Sequence, residues 1–397
     1  MAIIAARSVV LSLSLACLAF TGSPSPARQE TNPSLTAHEW GTFTSIADRS
    51  GQAVKWHPIS GPYEIPSFVE HLRSASTKPG LEGTIRMETP VLYFYAPHET
   101  EVSVGVHFSR GLITEWYPHV SHIEPSQKAD LRSSALYDHP SDGSITWNSI
   151  SIEPGLAANL PRDATDSHYY AAREVSAAPI LVRTNKGTQQ EKFLFYRGVA
   201  TFPVPIAAEY TSDNRLLVKN LGANEISGVI LLERHGDQFG YRLGGSLQTG
   251  MQLDPPELNS DIESLSRDLE RVLTAQGLYV DEARAMIATW RHSWFEEGTR
   301  LLYLVPRHFV DSVLPLSIHP APGQLTRVFV GRLELISPTT EKTVLVALDT
   351  HDVRTILKYG RFLEPILDQL RAKYPTKAQE LNDKIAATYN SAPPPAN

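Results

Sequence analysis

The chain has 397 residues, 42% hydrophobic and 20% charged, an ordinary globular composition with room for one large domain or two of usual size. A formal net charge of -7, a sequence pI near 6.1 and no run of five or more like charges give no basic field, so nucleic acid is excluded as an expected partner. Cys17 is the only cysteine, so thiolate metal sites, cysteine nucleophiles and disulfides have no support in the residues after it.

Met1 to Arg7 hold one basic side chain, Ser8 to Phe20 are apolar, and Thr21 to Ala27 are small and proline-rich. This order is the layout of a secretory signal peptide over residues 1–27, with an apolar run too short for a comfortable permanent span. Export to the periplasm or beyond is the expectation. The alternative is a lipid anchor at Cys17, since Ser14-Leu15-Ala16-Cys17 resembles a lipoprotein box except for serine where leucine is usual. No second long apolar stretch suggests a transmembrane helix in the mature chain.

After a linker at 28–37, His38 to Ile46 alternate as a strand, with Trp40 and Phe43 out of phase and Gly41 marking a bulge. Turn formers fill 47–83, with a short helix expected over Ser67 to Ala75. Thr84 to His122 reads as a β-hairpin: one arm runs from Arg86 to Tyr95, the turn is Pro97-His98-Glu99-Thr100, and Val102, Val104, Val106 and Phe108 give the return arm one buried face. Asp138 to Gly143 is a turn and Ser144 to Ile152 a strand. His168 to Glu174 fits a helix or a strand equally. Short strands then recur at 180–183, 191–198, 206–210, 216–220, 228–234 and 239–243, the spacing of an antiparallel two-sheet fold.

The pattern changes at Pro255-Pro256. A capping box at Ser260 to Glu263 opens a helix that Gly277 stops, Asp281 caps a second, and strands follow at 300–305 and 325–336 with a third at 344–348. Residues 350–373 form helix in two pieces broken at Gly360, and 376–388 form a last helix before a disordered tail. The expected fold is mainly β: an antiparallel sandwich-like region over 28–250 and an α+β region over 251–390 whose helices pack at the C-terminal end, with 391–397 as tail.

The chain carries no HExxH, GxSxG, P-loop, GxGxxG or CxxCH, so zincin, α/β-hydrolase, nucleotide-binding and c-type haem chemistry lose their usual signatures. Nine of the 14 histidines lie between His38 and His168. His119 and His122 are candidate ligands for a divalent metal, with Glu115 or His38 completing the set. Glu88 and Glu115, at strand ends, suit an acid and base pair on a glycosidic bond, with Trp116 and Tyr117 stacking on sugar; the competing reading makes each carboxylate an ion pair with an arginine such as Arg86 or Arg173. Tyr170 and Arg173 offer a phenol and a guanidinium to a polar or anionic group, while Phe193 to Gly198 reads as a core strand. Trp290, Trp294 and Phe295 read as helix packing, with Glu296 and Glu297 solvated.

His38-Glu39-Trp40-Gly41-Thr42-Phe43-Thr44, Met87-Glu88-Thr89-Pro90, Leu112 to Pro118, Tyr169 to Arg173, and Ser293 to Glu296 before Leu301 to Pro306 together resemble a group of uncharacterised exported bacterial proteins carrying an HEWGTFT motif. The resemblance covers most of the mature chain and implies no particular reaction. The reading of the residues is a hydrolase-like enzyme with His38, Glu39, Glu88, Glu115, Tyr170 and Arg173 as catalytic candidates, acting on a small molecule or glycan. The alternative is a non-catalytic glycan- or protein-binding envelope module that presents Trp40, Trp116 and Tyr117 on an open face.

Overall fold

The computed structural model describes residues 30–59, 64–72, 81–125, 142–185 and 187–390. The expected leader at 1–27 with Cys17, most of the expected turn at 138–143 and the expected tail at 391–397 lie outside the described residues. In chain order the strands are β1 (Thr31–Ala47), β2 (Glu70–His71), β3 (Ile85–Tyr95), β4 (Thr100–Phe108), β5 (Gly111–Tyr117), β6 (His122–Glu124), β7 (Gly143–Ile152), β8 (Ile180–Thr184), β9 (Gly187–Glu191), β10 (Leu194–Ala200), β11 (Ile206–Tyr210), β12 (Leu216–Asn220), β13 (Ile226–His235), β14 (Gln238–Leu247), β15 (Gly250–Leu253), β16 (Gly298–Val305), β17 (Leu316–His319) and β18 (Ala321–Leu335). The helices are α1 (Ile262–Ala275), α2 (Val280–Trp294), α3 (Arg307–Val313), α4 (Pro338–Asp349), α5 (Val353–Leu357), α6 (Leu363–Lys373) and α7 (Ala378–Asn390), with a 3-10 turn at His168–Arg173.

A nine-stranded sheet in the order β14-β13-β16-β18-β1-β3-β10-β5-β2 forms the centre, antiparallel except where β1 runs parallel to β18. Its sandwich face packs Phe43, Met87, Leu92, Tyr196 and Leu301 against Val104, Val106, Ile145 and Trp147 of the sheet β17-β4-β7-β8-β9. Its helix face packs Trp40, Val91, Tyr93 and Phe195 against Leu269 of α1, Met286 and Trp290 of α2, and Tyr169. A third cluster joins Ile46 and Trp56 to Val344, Ile366 and Leu370 of the C-terminal helices. The molecule is therefore mainly β with a sandwich-like body and C-terminal helices. The central strands are covered on both sides, which is why Ala37 to Ala47 are buried without a break. Strands from both sides of residue 250 share the large sheet, β16 and β18 standing between β13 and β1.

Several expectations are corrected. β3 and β4 do not form a hairpin: β3 pairs with β1 and β10, and β4 with β7 and β17, so the chain crosses between sheets over residues 96–99. The alternating burial of β4 is present, but alternation reports a buried face and not the identity of the pairing strand. Instead of a helix from Ser67, residues 70–71 form β2 along β5. Val344 to Leu348 lie in helix α4, which Ser337 caps by accepting from Thr340 N and Pro338 opens; the β-branched run concealed that start signal. Asp261 caps α1, and α2 begins after Tyr279 with Glu282 closing the capping box.

Candidate functional site

Trp40 pairs with Val91 and Thr42 with Glu88, so two residues of β3, Thr89 and Pro90, stand opposite the single Gly41, one residue more than the ladder needs. The bulge lies on β3, with Gly41 as the small residue that admits it: a Cβ on Gly41 would stand 2.8 Å from the Phe329 ring and 3.1 Å from Pro90 Cα. Thr89 takes a left-handed backbone (φ 46°) inside a fully buried strand, a conformation a β-branched residue seldom adopts. The bulge reverses the strand's phase, so Arg86 and Glu88 before it and Val91 and Tyr93 after it all face the helices. A second shift, at Thr114 of β5, lies between the pairs Arg197–Glu115 and Gly198–Ile113.

These irregularities sit within a band of charge on the helix face. On β16 and β18, Arg300 Nε donates to Glu334 Oε2 at 2.9 Å, and Arg332 Nη2 reaches Glu334 at 3.0 Å and Glu296 at 2.6 Å. Arg332 is the cross-strand partner of Thr44, and Thr44 of Arg86. On β3 and β5, Arg86 donates to Glu115 Oε2 at 3.0 Å and to Thr114 Oγ1 at 3.0 Å, while Thr114 also donates to Glu115. Glu88 accepts from Arg361 Nη2 at 2.7 Å. Burial raises the pKa of Glu88, but Arg361 and Arg197 outweigh it and hold the carboxyl at about 2. Glu115, pushed up by burial and down by Arg86 and Arg197, also ends below its ordinary value.

Arg197 of β10 stands between Glu88 and Glu115 and pairs with neither. Its Nε points to Thr89 Oγ1 at 3.4 Å and its Nη2 donates to His168 Nε2 at 3.0 Å. Among the described residues no carboxylate comes within ion-pair distance of it, although the residue is only 8% exposed. Burial, the charge of Arg197 and the surrounding groups hold the His168 imidazole at about 3, so it is neutral at physiological pH. Because a guanidinium only donates, Nε2 is the acceptor nitrogen and Nδ1 carries the proton, facing Glu64 Oε2 at 3.7 Å. Trp290 covers the imidazole at 5.5 Å between ring centres, and Arg361 lies over Trp56 and Phe362.

The sequence candidates do not gather in one place. Glu88 and Glu115 share the band, both as ion pairs. His38 and Glu39, adjacent on β1, point to opposite faces: His38 Nδ1 meets Glu282 Oε2 at 2.8 Å beside Tyr95 and Tyr279, whereas Glu39 accepts from Tyr196 and from Arg327 Nε at 2.5 Å. Arg173 is bound to buried Glu191 at 2.6 Å, and Tyr170 donates to Asp163 at 2.9 Å. His119 Nδ1 meets Glu70 at 2.5 Å, and exposed His122 meets Glu124 at 3.2 Å. Among the described residues no three His, Asp or Glu side chains gather as a metal would require.

Trp40, Trp116 and Tyr117 are buried, so they present no open aromatic face and no platform for sugar stacking. Glu296 and Glu297 are not solvated: the first takes Arg332, and the second accepts from Gly236 N at 2.9 Å and faces His235. Arg197, His168, Thr89 and Arg361 were not singled out from the sequence. The available signal was an arginine inside the aromatic strand Phe193 to Gly198, where a charge needs a reason to be.

No family model matches the chain, and no curated protein matches it. Among solved structures, the chain aligns with the Fcho1 mu homology domain of Danio rerio with bound Eps15 peptide at 9% identity and TM-score 0.29, over 77% of this chain and 98% of that one. It also aligns with the yeast delta-COP-I mu-homology domain complexed with a Dsl1 WxWxV peptide at 8% identity and TM-score 0.26, over 76% and 96%. Among the described residues no helix is long and apolar enough to cross a membrane.

Proposed function

We propose that this is an exported protein that binds a polar small molecule at the Thr89 end of the buried charge band, with Glu88, His168, Arg197 and Arg361 as the contacting groups. The observation that carries the reading is Thr89. A left-handed, β-branched residue within a buried strand costs on the order of 1–3 kcal/mol. Here that conformation keeps Glu88 on the helix face beside Arg361 and brings the Thr89 hydroxyl to Arg197. Export is inferred from the layout of residues 1–27.

A hydrolase-like activity is the second reading, supported by a carboxylate, Glu88, that stays ionised in a nearly closed site. Hydrolysis also calls for a proton carrier. His168 spends its acceptor nitrogen on Arg197, and Glu115 is committed to Arg86. Binding is therefore the better supported of the two.

The test is a panel of sugars, sugar acids and phosphorylated sugars screened by calorimetry against the mature chain, followed by variants. Glu88→Gln and Arg361→Ala are expected to weaken the ligand at least tenfold, while His122→Ala and Tyr170→Phe leave it unchanged. A ligand indifferent to Glu88→Gln and Arg361→Ala in folded protein would place the functional site elsewhere.

A further inference from the structure

The band holds five arginines, Arg86, Arg197, Arg300, Arg332 and Arg361, against four glutamates, Glu88, Glu115, Glu296 and Glu334, with the exposed carboxylate of Glu64 at its margin facing His168. Each of the four glutamates already accepts from at least one of the other four arginines, so Arg197 is the arginine of the band left without a directly paired carboxylate. It is bonded only to neutral partners, the Thr89 hydroxyl and the His168 imidazole, and its Nη1 has no hydrogen bond among the described residues. Burying a guanidinium with no carboxylate directly paired to it is a costly arrangement for a fold to keep, even with Glu88 and Glu115 near by. Proteins retain such costs at sites where a ligand offsets them.

Resting on the site assignment above, we infer that the ligand carries an oxyanion, a carboxylate or a phosphate group, and that Arg197 Nη1 binds it. The oxyanion supplies the direct ion pair that Arg197 lacks. It approaches beside Arg361 and His168, whose side chains are 19% and 16% exposed and are the part of the site that reaches solvent. Thr89 and His168 hold the guanidinium from two sides, so its plane is fixed before the ligand arrives, as a forked contact to an oxyanion requires. Glu88 is already neutralised by Arg361 and does not repel the incoming charge in full.

The inference makes an unusual demand on stability, because removing a residue of the site should strengthen the apo protein. Arg197→Gln is expected to raise the unfolding midpoint of the mature chain, and the same substitution should abolish its response to oxyanions. With chloride held at constant ionic strength, inorganic phosphate, acetate and glucuronate are each titrated while the midpoint is followed. The wild type is expected to be stabilised progressively by one of them, phosphate or the carboxylates according to the group the natural ligand carries, and Arg197→Gln by none. Arg197→Lys, which keeps the charge but loses the fork, should retain a response weakened at least tenfold.

A wild type that responds only to ionic strength overturns the inference, as does an Arg197→Gln protein less stable than wild type, which would show that the charge is already compensated within the chain. A neutral sugar that binds and is lost on Glu88→Gln and Arg361→Ala would leave the site in place and overturn the oxyanion alone. Loss of both would remove the site.

Discussion

A carboxylate inside a strand covered on both faces persists only if donors meet its oxygens, and the buried glutamates of this chain each solve that differently. Glu39 has Tyr196 on one oxygen and Arg327 on the other, and Arg327 extends to Asp311 and to the Leu314 carbonyl at 2.8 Å. This is a structural clamp between β1, β10 and β18 on the sandwich face, away from the band. Glu39→Ala should therefore cost about 3–5 kcal/mol in urea denaturation, the usual loss when one partner of a buried pair is removed. The same variant should bind ligand within twofold of wild type at temperatures where it is folded; loss of affinity in folded Glu39→Ala would return Glu39 to the site. Adjacency in a strand already implied that His38 and Glu39 could not serve one pocket, since neighbours point to opposite faces. Arg327, 288 positions away, was not readable as the partner, because side-chain pairing across a sheet depends on strand order and not on local pattern.

The strand carrying the site is shaped by its bulge. Gly41 was legible as an irregularity because Trp40 and Phe43 fall out of phase with a single buried face, yet they occupy opposite faces of a regular stretch, and the extra residue belongs to β3. Local sequence marks that something is accommodated at a glycine without saying on which strand the surplus lies. Gly41→Ala tests the arrangement. Its methyl group would meet the Phe329 ring and the Pro90 backbone, and backbone cannot swing away as a flexible side chain can. The expected destabilisation is about 1–3 kcal/mol by thermal or urea unfolding. Because Pro90 adjoins Thr89, the shift should also weaken the ligand several-fold, whereas an equal loss of stability from Leu265→Ala in α1 should leave affinity unchanged. If Gly41→Ala costs stability without touching affinity, the bulge is a packing device and not the mount of the site.

At the scale of the whole molecule, composition and periodicity conveyed the class of fold but not the order of strands. The change from short strands to helices after Pro255-Pro256 is real, and helices α1 and α2 follow it closely. What the pattern cannot express is that the chain later returns to the large sheet, with β16 against β13 and β18 beside β1 in parallel. β18 follows β1 over fourteen register pairs and so forms one side of the strand that carries HEWGTFT. Without the residues after 250, β1 and β13 would each expose an edge of unpaired backbone, and Trp40, Val91 and Tyr93 would lose the helices that cover them. We therefore expect residues 28–250 alone to fail to fold, and residues 28–397 to unfold in one cooperative transition. Tryptophan fluorescence and far-ultraviolet circular dichroism should coincide through that transition, since four tryptophans lie before residue 250 and Trp290 and Trp294 after it. Two separated transitions, or a 28–250 fragment with its own cooperative unfolding, would make the strands beyond 250 an addition to a body that closes without them. The band would then be assembled late, because Arg300, Arg332 and Arg361 all arrive from that side of the chain.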